Sequence, residues 1–319
     1  MNILFVIDNI EFKYFEHNEL VTSFTLIEGF IKRGYNIDIA TKDRLYLKVN
    51  TPMALTYTTS FSDNKLLKSD KFIVSNLNNY DVIFFRPDPP VNDDYINATH
   101  VLDYVGKQTL VINSAQGLRN ANEKLFINNF PDIVPENIAT ADMDLIREFL
   151  YEHKEIVIKP LNCCFSKGVF YLNDKDKNIH TIIDMATNSG RTMVMVQKFL
   201  PKIADGDKRL VYIDGEIFKE CACKIHGEDD FKFNTHEDKF FKKGIITQEE
   251  EKIAEYIKPI MEKEGLYIAG LDVIDGKMIE INVTSPFFFI KEVNQLFNIK
   301  FEDRILDKLE SLIKRLKNN

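Results

Sequence analysis

The sequence of 319 residues lacks the features that mark membrane, secreted or nucleic-acid-binding proteins. It has no low-complexity tract, no apolar run long enough to cross a bilayer and no cationic leader. Its first eight residues turn acidic too early for a signal peptide and have the pattern of a first β-strand. Basic residues are in deficit, with 41 Lys and Arg against 49 Asp and Glu. This excludes a nucleic-acid backbone as partner, because such binding draws on an excess of basic residues.

Cysteine is also scarce, and the four residues form two short pairs, Cys163–Cys164 and Cys221–Cys223. In a chain of this length they do not make the disulfide framework of a small secreted protein. Zinc binding together with His226 and His236 is an alternative, but common zinc sites space their cysteines two to four residues apart. Small buried thiols are the usual state of such residues. We therefore expect a cytoplasmic protein without a zinc site.

The remaining composition, 45% hydrophobic and 28% charged, is that of a globular protein of two or three domains. Over the first 120 residues, short apolar strands at 2–6, 35–40, 81–85 and 109–112 alternate with helical segments. Such alternation predicts βαβ units in a doubly wound, largely parallel sheet. After Asn122 helices and strands mix differently, with a polar loop at 226–244 and a hairpin at 271–283. We predict an N-terminal α/β domain at 1–121, a small lid at 122–200 and a C-terminal α+β domain at 201–319.

The hairpin carries polar side chains within two otherwise continuously apolar runs. Asp275-Gly276 separates the runs and is a strong turn signal. Glu280 and Asn282 share a face, because side chains along a strand alternate with period two. A hairpin whose polar residues face water is the alternative, but these runs are typical of a mostly buried surface. Oxygen ligands in such a place suit Mg²⁺.

The position of Asp272 depends on the length of the turn. A two-residue loop puts it opposite Ile279, on the face away from Glu280. A three-residue loop, with Gly276 in the left-handed conformation, puts it diagonal to Glu280 on the same face, about 7–8 Å away. Only the second arrangement brings its carboxylate to the same metal ion.

Two lysines stand among apolar neighbours, Lys124 in the first turn of a helix and Lys159 at the end of a strand. A lysine at a strand end is commonly a surface group. Together with a carboxylate-bearing hairpin, however, the two indicate ammonium groups that bind phosphates. The linker at 197–201 has backbone groups that can contact an adenine edge, and Asp207 can accept a hydrogen bond from a ribose hydroxyl.

Taken together and in order, these segments resemble the bacterial-type glutathione synthetases of the ATP-grasp superfamily. The resemblance extends over nearly the whole chain. It is carried by Arg86-Pro87-Asp88-Pro89-Pro90, Ile112-Asn113-Ser114, Asn122-Glu123-Lys124-Leu125, Ile158-Lys159-Pro160-Leu161, Gln197 to Pro201, Asp205-Gly206-Asp207-Lys208-Arg209, Gly270-Leu271-Asp272 and Glu280-Ile281-Asn282-Val283-Thr284-Ser285-Pro286.

The resemblance implies an ATP-grasp architecture and an ADP-forming peptide ligase that joins γ-glutamylcysteine to glycine through an acyl phosphate. It implies ATP and Mg²⁺ as cofactors, with two ions and with Mn²⁺ as a substitute, and it implies a homo-oligomer. The implied metal ligands are Asp272, Glu280 and Asn282. The implied ATP contacts are Lys124, Lys159, Gln197, Asp207 and Arg209, with the main chain of Lys198 and Leu200. The implied substrate contacts are Arg86, Val283, Thr284 and Ser285, and catalytic roles fall to Lys159, Arg209 and Asn282.

Two loops depart from the family pattern. After Leu161 the family usually has Asp-Gly-x-Gly-Gly, where this chain has Asn-Cys-Cys-Phe-Ser. Strained non-glycine positions cost roughly 1–3 kcal/mol each if the same loop shape is kept. Gly168 keeps one permissive position, and Lys167 adds a side chain that can contact phosphate. We predict that the loop still closes over ATP, in an altered shape.

The second departure concerns the substrates. Lys224 and Lys232 stand where the family has arginines, and Asn234 lies in the same remodelled loop at 226–240. Lysine does not reproduce the planar fork with which arginine holds a carboxylate. Two further hypotheses therefore stay open, a ligase with a different amine or peptide substrate and a nucleotide-binding homologue without activity.

Overall fold

The structure is a computed structural model that describes residues 1–13, 15, 21–163, 167–225, 241–286 and 288–318. Within these ranges the chain forms three β-sheets and nine α-helices. The sheets draw on residues 2–112, 137–198 and 207–282, in that order along the chain. The predicted combination of α/β and α+β structure is confirmed.

The first sheet has eight strands and a parallel centre. Its elements are β1 (Asn2–Ile7), α1 (Asn9–Lys13), α2 (Thr22–Lys32), β2 (Asn36–Thr41), β3 (Leu45–Lys48), β4 (Thr51–Ser62), β5 (Lys65–Lys68), β6 (Ile73–Asn76), β7 (Val82–Phe85), α3 (Asp93–Leu102), β8 (Leu110–Ile112) and α4 (Ala115–Asn120). The order is β3-β4-β2-β1-β7-β8. The pairs β1–β2, β1–β7 and β7–β8 are parallel, as the alternating pattern predicts.

The antiparallel strands β3 to β6 were not predicted. Of these strands, β3, β5 and β6 each pair with β4, which is twelve residues long. Through its pairing with β2, β4 joins this extension to the parallel centre. Along β4 buried and less buried residues alternate, so only one face of the extension is covered. Such strands carry a weaker apolar signal than the central ones, which are buried on both faces.

The second sheet is a small antiparallel one with order β11-β10-β12-β9. Its elements are β9 (Asn137–Thr140), α5 (Met143–His153), β10 (Glu155–Pro160), β11 (Phe170–Asn173), α6 (Ile179–Ala186) and β12 (Val194–Lys198). The Asp142 side chain caps α5 by accepting hydrogen bonds from the backbone N–H groups of Asp144 and Leu145. The core of this sheet is separate from the other two hydrophobic clusters and includes Ile146, Ile158 and Val196.

The third sheet carries the hairpin. Its elements are β13 (Asp207–Ile213), β14 (Glu216–Ile217), β15 (Glu220–Lys224), β16 (Phe241–Ile245), α7 (Gln248–Lys263), β17 (Ile268–Ile274) and β18 (Lys277–Asn282), followed by α8 (Ile290–Phe297) and α9 (Phe301–Lys317). The strand order is β16-β15-β13-β17-β18. The end of the predicted polar loop is therefore wrong, because residues 241–244 belong to β16. Residues 226–240 lie outside the described residues.

The last helix packs back on the first domain. Leu306 of α9 lies against α2 so closely that a Cβ atom on Gly29 would be 2.2 Å from its Cδ1 atom. Phe30 and Leu309 belong to the same hydrophobic cluster. None of the helices in the described ranges is long and apolar enough to span a membrane.

Candidate active site

The pairing register of β17 and β18 differs from both of the predicted alternatives. Ile274 pairs with Lys277, and Asp275 and Gly276 have φ values of 50° and 70°, so the loop has two residues. A register shift between Asp272 and Val273 then adds one extra residue to β18. Asp272 consequently lies directly opposite Glu280, not opposite Ile279 and not diagonal to Glu280.

The extra residue, Ile279, changes which way the following side chains point. Met278 and Ile281 are both fully buried in the core, although they are three positions apart. Glu280 and Asn282 are half-buried on the other face. The bulge therefore lets β18 contribute to the core on both sides of Glu280 and still present two polar side chains to the site.

Asp272 is an ionised carboxylate held by three neighbours. Its oxygens accept hydrogen bonds from Arg209 Nε at 2.8 Å and Nη2 at 3.0 Å, from Lys224 Nζ at 3.2 Å and from Asn282 Nδ2 at 3.2 Å. Burial raises the pKa of Asp272, but Arg209 and Lys224 outweigh burial and bring it to about 2. Gly270 makes room for this arrangement, because a Cβ atom there would lie 2.7 Å from Arg209 Nη1.

Asp207 and Lys224, predicted to contact ribose and substrate, form an ion pair with each other. They lie directly opposite on β13 and β15, and both are almost completely buried. Burial lowers the pKa of Lys224, but Asp207 and Asp272 outweigh it and the pKa is raised. Lys224 therefore stays charged and links the predicted ribose residue to the predicted metal ligand.

The two predicted phosphate lysines have different surroundings. Lys124 donates from Nζ to Glu280 Oε1 at 3.2 Å and to the carbonyl oxygen of Cys163 at 2.9 Å. Lys159 is 7% exposed and has no hydrogen-bond or ion-pair partner in the described part of the chain. Burial, above all, lowers its pKa to about 8. A buried ammonium group in this state indicates a binding place for an anion.

The metal-binding residues implied by the resemblance carry oxygen atoms of the kind that Mg²⁺ binds, and the Asp272 oxygens already accept hydrogen bonds from Arg209, Lys224 and Asn282. Asp272 and Glu280 supply carboxylates and Asn282 an amide from one face of one hairpin, and hard oxygen ligands are those that Mg²⁺ prefers. No group of three or more His, Cys, Asp and Glu side chains that could hold a metal occurs among the described residues.

The zinc alternative is not supported within the described ranges. Cys221 and Cys223 are buried free thiols and Cys163 is an exposed one. Cys164, His226 and His236 lie outside the described residues.

The predicted peptide-substrate residues lie where the first sheet meets the hairpin. Arg86 is buried and donates to Ser23 Oγ and to the carbonyl oxygen of Pro286, each at 3.1 Å. Thr284 Oγ1 donates to Glu123 Oε1 at 3.0 Å. Burial raises the pKa of Asp88, and the neighbouring Ser285 side chain partly opposes this rise.

Val283 does not offer its side chain to a ligand. The side chain is fully buried in the hydrophobic core, and its carbonyl oxygen accepts a hydrogen bond from Asn113 Nδ2 at 2.9 Å. A direct contact of Val283 with a substrate would therefore have to come from its backbone.

The predicted adenine-side residues surround the end of β12. Gln197 is buried and donates from Nε2 to the carbonyl oxygen of Ile279 at 3.2 Å. Lys198 is turned toward Glu136, to which its backbone N–H donates at 2.9 Å and its Nζ at 2.7 Å. Leu200 is half-buried after the strand.

The predicted loop residues are only partly described. Lys167 is exposed, and Gly168 has a φ of 71°, the conformation that favours glycine. Cys164, Lys232 and Asn234 lie outside the described residues.

Two buried carboxyl groups were missed from the sequence. Glu123 is 8% exposed, and burial followed by the charge of Glu280 raises its pKa to about 7. Glu11 is 7% exposed, and burial followed by Asp88 raises its pKa to about 8. For Glu123 a signal existed, because it directly precedes Lys124. Glu11 follows β1 by a few residues, and only the sheet brings it to Arg86.

A cleft of about 430 Å³ lies away from these residues, between β14 and α9. The three cations that line it are already paired: Arg304 with Glu220 at 2.7 Å, Lys308 with Glu216 at 2.6 Å and Lys219 with Glu251 at 3.3 Å. Size alone does not make this cleft the site.

Two family descriptions match most of the chain. Residues 1–119 match the N-terminal domain of prokaryotic glutathione synthetase, and residues 123–298 match its ATP-grasp domain. A glutathione synthetase of Vibrio parahaemolyticus is 32% identical over 298 residues, which are 92% of this chain and 93% of the relative. One from a Nostoc species is 39% identical over 237 residues, which are 74% and 72%.

Solved structures share the fold. The D-cycloserine synthetase DcsG has a TM-score of 0.68 at 14% identity and covers 99% of this chain and 100% of its own. The ATP-grasp ligase PsnB, complexed with a minimal precursor, Mg and ADP, has a TM-score of 0.59 at 14% identity, with coverage of 100% and 98%. These likenesses confirm the predicted ATP-grasp architecture. Together with the two matched domains, they establish that the chain belongs to the prokaryotic glutathione synthetase family and is an ATP-dependent ATP-grasp ligase.

Proposed function

We propose that this ligase joins the carboxylate of γ-glutamylcysteine to the amine of glycine, with conversion of ATP to ADP and phosphate. The observation that carries the proposal is Lys159, a buried ammonium group without a partner in the described ranges, which acts electrostatically with Asp272 and Glu280. A triphosphate is the counter-ion that such a site requires. The substrates are those that the family resemblance implies. The proposal includes the cytoplasmic location and the homo-oligomeric assembly predicted from the sequence.

Asp272, Glu280 and Asn282 would hold Mg²⁺, in one or two ions, with Mn²⁺ as a substitute. When bound, the metal would neutralise part of the negative charge of the phosphates. Arg209 is held by two hydrogen bonds to Asp272 and so lies beside the same ligand set. Lys124 donates a hydrogen bond from Nζ to Glu280 Oε1.

The chemistry proceeds in two displacements. The peptide carboxylate attacks the terminal phosphorus of ATP. This attack forms an acyl phosphate and releases ADP. The amine then attacks the acyl carbon, loses a proton, and inorganic phosphate leaves. Lys124 and Lys159 stabilise the negative charge that moves during the first displacement. Closure of the loop at 162–169 would exclude water, which would otherwise hydrolyse the acyl phosphate.

A ligase with a different acceptor amine is the second candidate, because Lys224 favours it. In place of an arginine fork free to hold a substrate carboxylate, this chain has a lysine engaged with Asp207 and Asp272. The substrate contact implied at this position would then be absent or changed.

An assay of ADP release tests both candidates. Purified protein is supplied with ATP, Mg²⁺, γ-glutamylcysteine and each of the common amino acids, and the peptide products are identified by mass spectrometry. The proposal expects the highest kcat/KM with glycine. A higher value with another amine supports the second candidate, and ATP binding without ADP release for any pair contradicts both.

A further inference from the structure

The strand order of the first sheet reverses between β1 and β7. β1 pairs with β2 on one side and with β7 on the other, and both pairs are parallel. In open α/β sheets, ligands bind outside the carboxyl ends of the strands at such a point. Here these ends are Ile7 and Phe85. The residues that follow them are therefore candidates for a binding site.

Charged residues lie together at these strand ends. Asp8 and Glu11 follow β1, Lys42 follows β2, and Arg86 and Asp88 follow β7. Lys42 Nζ forms an ion pair with Asp8 at 3.3 Å. The charges of Glu11 and Asp88 both act on the pKa of Arg86 and raise it, although burial outweighs them. After the pairing of Lys42 with Asp8, two carboxyl groups share one guanidinium group.

Glu11 is a buried carboxyl group without an ion-pair partner in the described part of the chain. Its Oε2 atom accepts one long hydrogen bond, of 3.4 Å, from the backbone N–H of Asp8. Burial, above all, and then the charge of Asp88 raise the pKa of Glu11 to about 8. Burying a carboxylate costs free energy unless a cation reaches it. Glu11 therefore favours a ligand that brings a cation.

Arg86 does not supply this cation. The residue is 3% exposed, and its Nε and Nη2 atoms donate to Ser23 and Pro286. Within the described ranges it forms no ion pair with Glu11 or Asp88. The three charged groups thus act on one another without being in contact. They are complementary to a ligand group of both charges, with an ammonium toward the carboxyl groups and a carboxylate toward Arg86.

The charged groups adjoin the segment that follows the hairpin. Pro286, whose carbonyl oxygen accepts from Arg86, lies shortly after Asn282 in the chain. The guanidinium carbon of Arg86 is 5.8 Å from the centre of the Phe288 ring. The backbone N–H of Phe288 donates to Thr22 Oγ1 of α2 at 3.1 Å. A ligand bound at the strand ends therefore lies beside the segment that leads to the proposed metal ligands.

We propose that Glu11 determines the specificity for the acyl substrate by binding its ammonium group. Asp88 assists Glu11, and Arg86 binds the carboxylate next to that ammonium group. The inference rests on the proposed ligase function, in which the acyl substrate is γ-glutamylcysteine. The γ-glutamyl residue is joined through its side-chain carboxyl, so its ammonium group and its α-carboxylate stay free on one carbon. Glu11 lies outside the segments that carry the family resemblance, and those motifs do not assign it this role.

Two peptides test the inference, γ-glutamylcysteine and glutarylcysteine, which differ only in the ammonium group. Their binding to the whole chain is measured by calorimetry with Mg²⁺ and a non-hydrolysable ATP analogue. For the wild-type protein we expect the dissociation constant of glutarylcysteine to be at least about tenfold higher, as for the loss of a charge-assisted hydrogen bond. Glu11→Gln keeps the shape and removes the charge. It should raise the constant for γ-glutamylcysteine about tenfold and leave that for glutarylcysteine within about twofold.

Asp88→Asn is the second variant and should reduce the ratio of the two constants by at least about threefold. Glu255→Gln, at an exposed position of α7, is the matched control and should change neither constant. Release of ADP tests the ligase proposal separately, because a tenfold difference in binding without ADP release contradicts that proposal and supports the inference. No binding of γ-glutamylcysteine, equal binding of both peptides, or a ratio that Glu11→Gln leaves unchanged would overturn the inference even if the protein releases ADP.

Discussion

At the scale of single residues, the buried charged groups of the site differ in how many partners of opposite charge they have. Asp272 has two cations and an amide around it, while Lys159 has no described counter-ion. Burying a charge without a partner costs free energy, and a bound anion recovers that cost. Among the described residues of the site, Arg209, Lys224 and Lys124 pair with carboxylates of the protein, whereas Lys159 has no hydrogen-bond or ion-pair partner.

Lys159→Met is the test at this scale. Methionine has a similar length without the charge, so we expect kcat/KM for ATP to fall by at least about a hundredfold while the fold is kept. Lys175→Met, at an exposed position shortly after β11, is the control. Wild-type activity in Lys159→Met would contradict a phosphate-binding role.

The same substitution has an effect on stability with a defined sign. The pKa of Lys159 falls from 10.5 to about 8 on folding, so between these pH values the unfolded chain binds a proton that the folded chain lacks. The free energy of unfolding of the wild-type protein should therefore rise with pH from 8 to 10.5, relative to Lys159→Met. Below pH 8 the wild-type protein carries the full cost of the buried charge, on the order of 3 kcal/mol. Urea denaturation at several pH values measures the difference.

At the scale of elements, one extra residue decides whether the hairpin can bind a metal. The bulge at Ile279 places Asp272 opposite Glu280 and leaves Met278 and Ile281 in the core. Gln197, on β12 of the second sheet, donates to the carbonyl oxygen of Ile279. The second sheet thus contacts the third sheet at the bulge itself.

Gln197→Leu should loosen this contact. Leucine fills a similar volume but leaves the carbonyl of Ile279 without its donor, at a cost of about 1–2 kcal/mol. We expect the Mg²⁺ concentration for half-maximal activity to rise severalfold. Gln295→Leu, at an exposed position of α8, should leave the metal requirement unchanged. If Gln197 serves only adenine binding, its substitution will raise the KM for ATP and leave the metal requirement as it is.

At the scale of the whole molecule, the first domain is fixed to the third sheet by Asn113. Its Nδ2 donates to the carbonyl oxygens of Ile268 and Val283 at 2.7 and 2.9 Å. Its Oδ1 accepts from the backbone of Tyr267 and Ile268 at 2.8 and 2.9 Å. One side chain therefore joins the start of β17 to the end of the hairpin, and holds both against the parallel sheet.

Asn113→Ala removes four hydrogen bonds, three of them buried, and leaves backbone groups unsatisfied. We expect the free energy of unfolding to fall by on the order of 3 kcal/mol. Urea denaturation followed by circular dichroism measures this change. Asn79→Ala, at an exposed position, should change it by less than about 0.5 kcal/mol. A loss as small as that in Asn113→Ala would mean that other contacts hold the two parts together.

The sequence by itself determined the parallel centre of the first sheet, the hairpin at Asp275-Gly276 and the family, because apolar periodicity, turn chemistry and ordered motifs are local in the chain. The domain limits at 121 and 200 and the roles of the single site residues stay predictions. Only the tertiary structure decided that Ile279 forms a bulge, since a strand partner and a core must select the register. It also decided that Lys224 pairs with Asp207. Contacts between distant segments depend on how the sheets pack, and the local spacing of residues in the sequence does not show them.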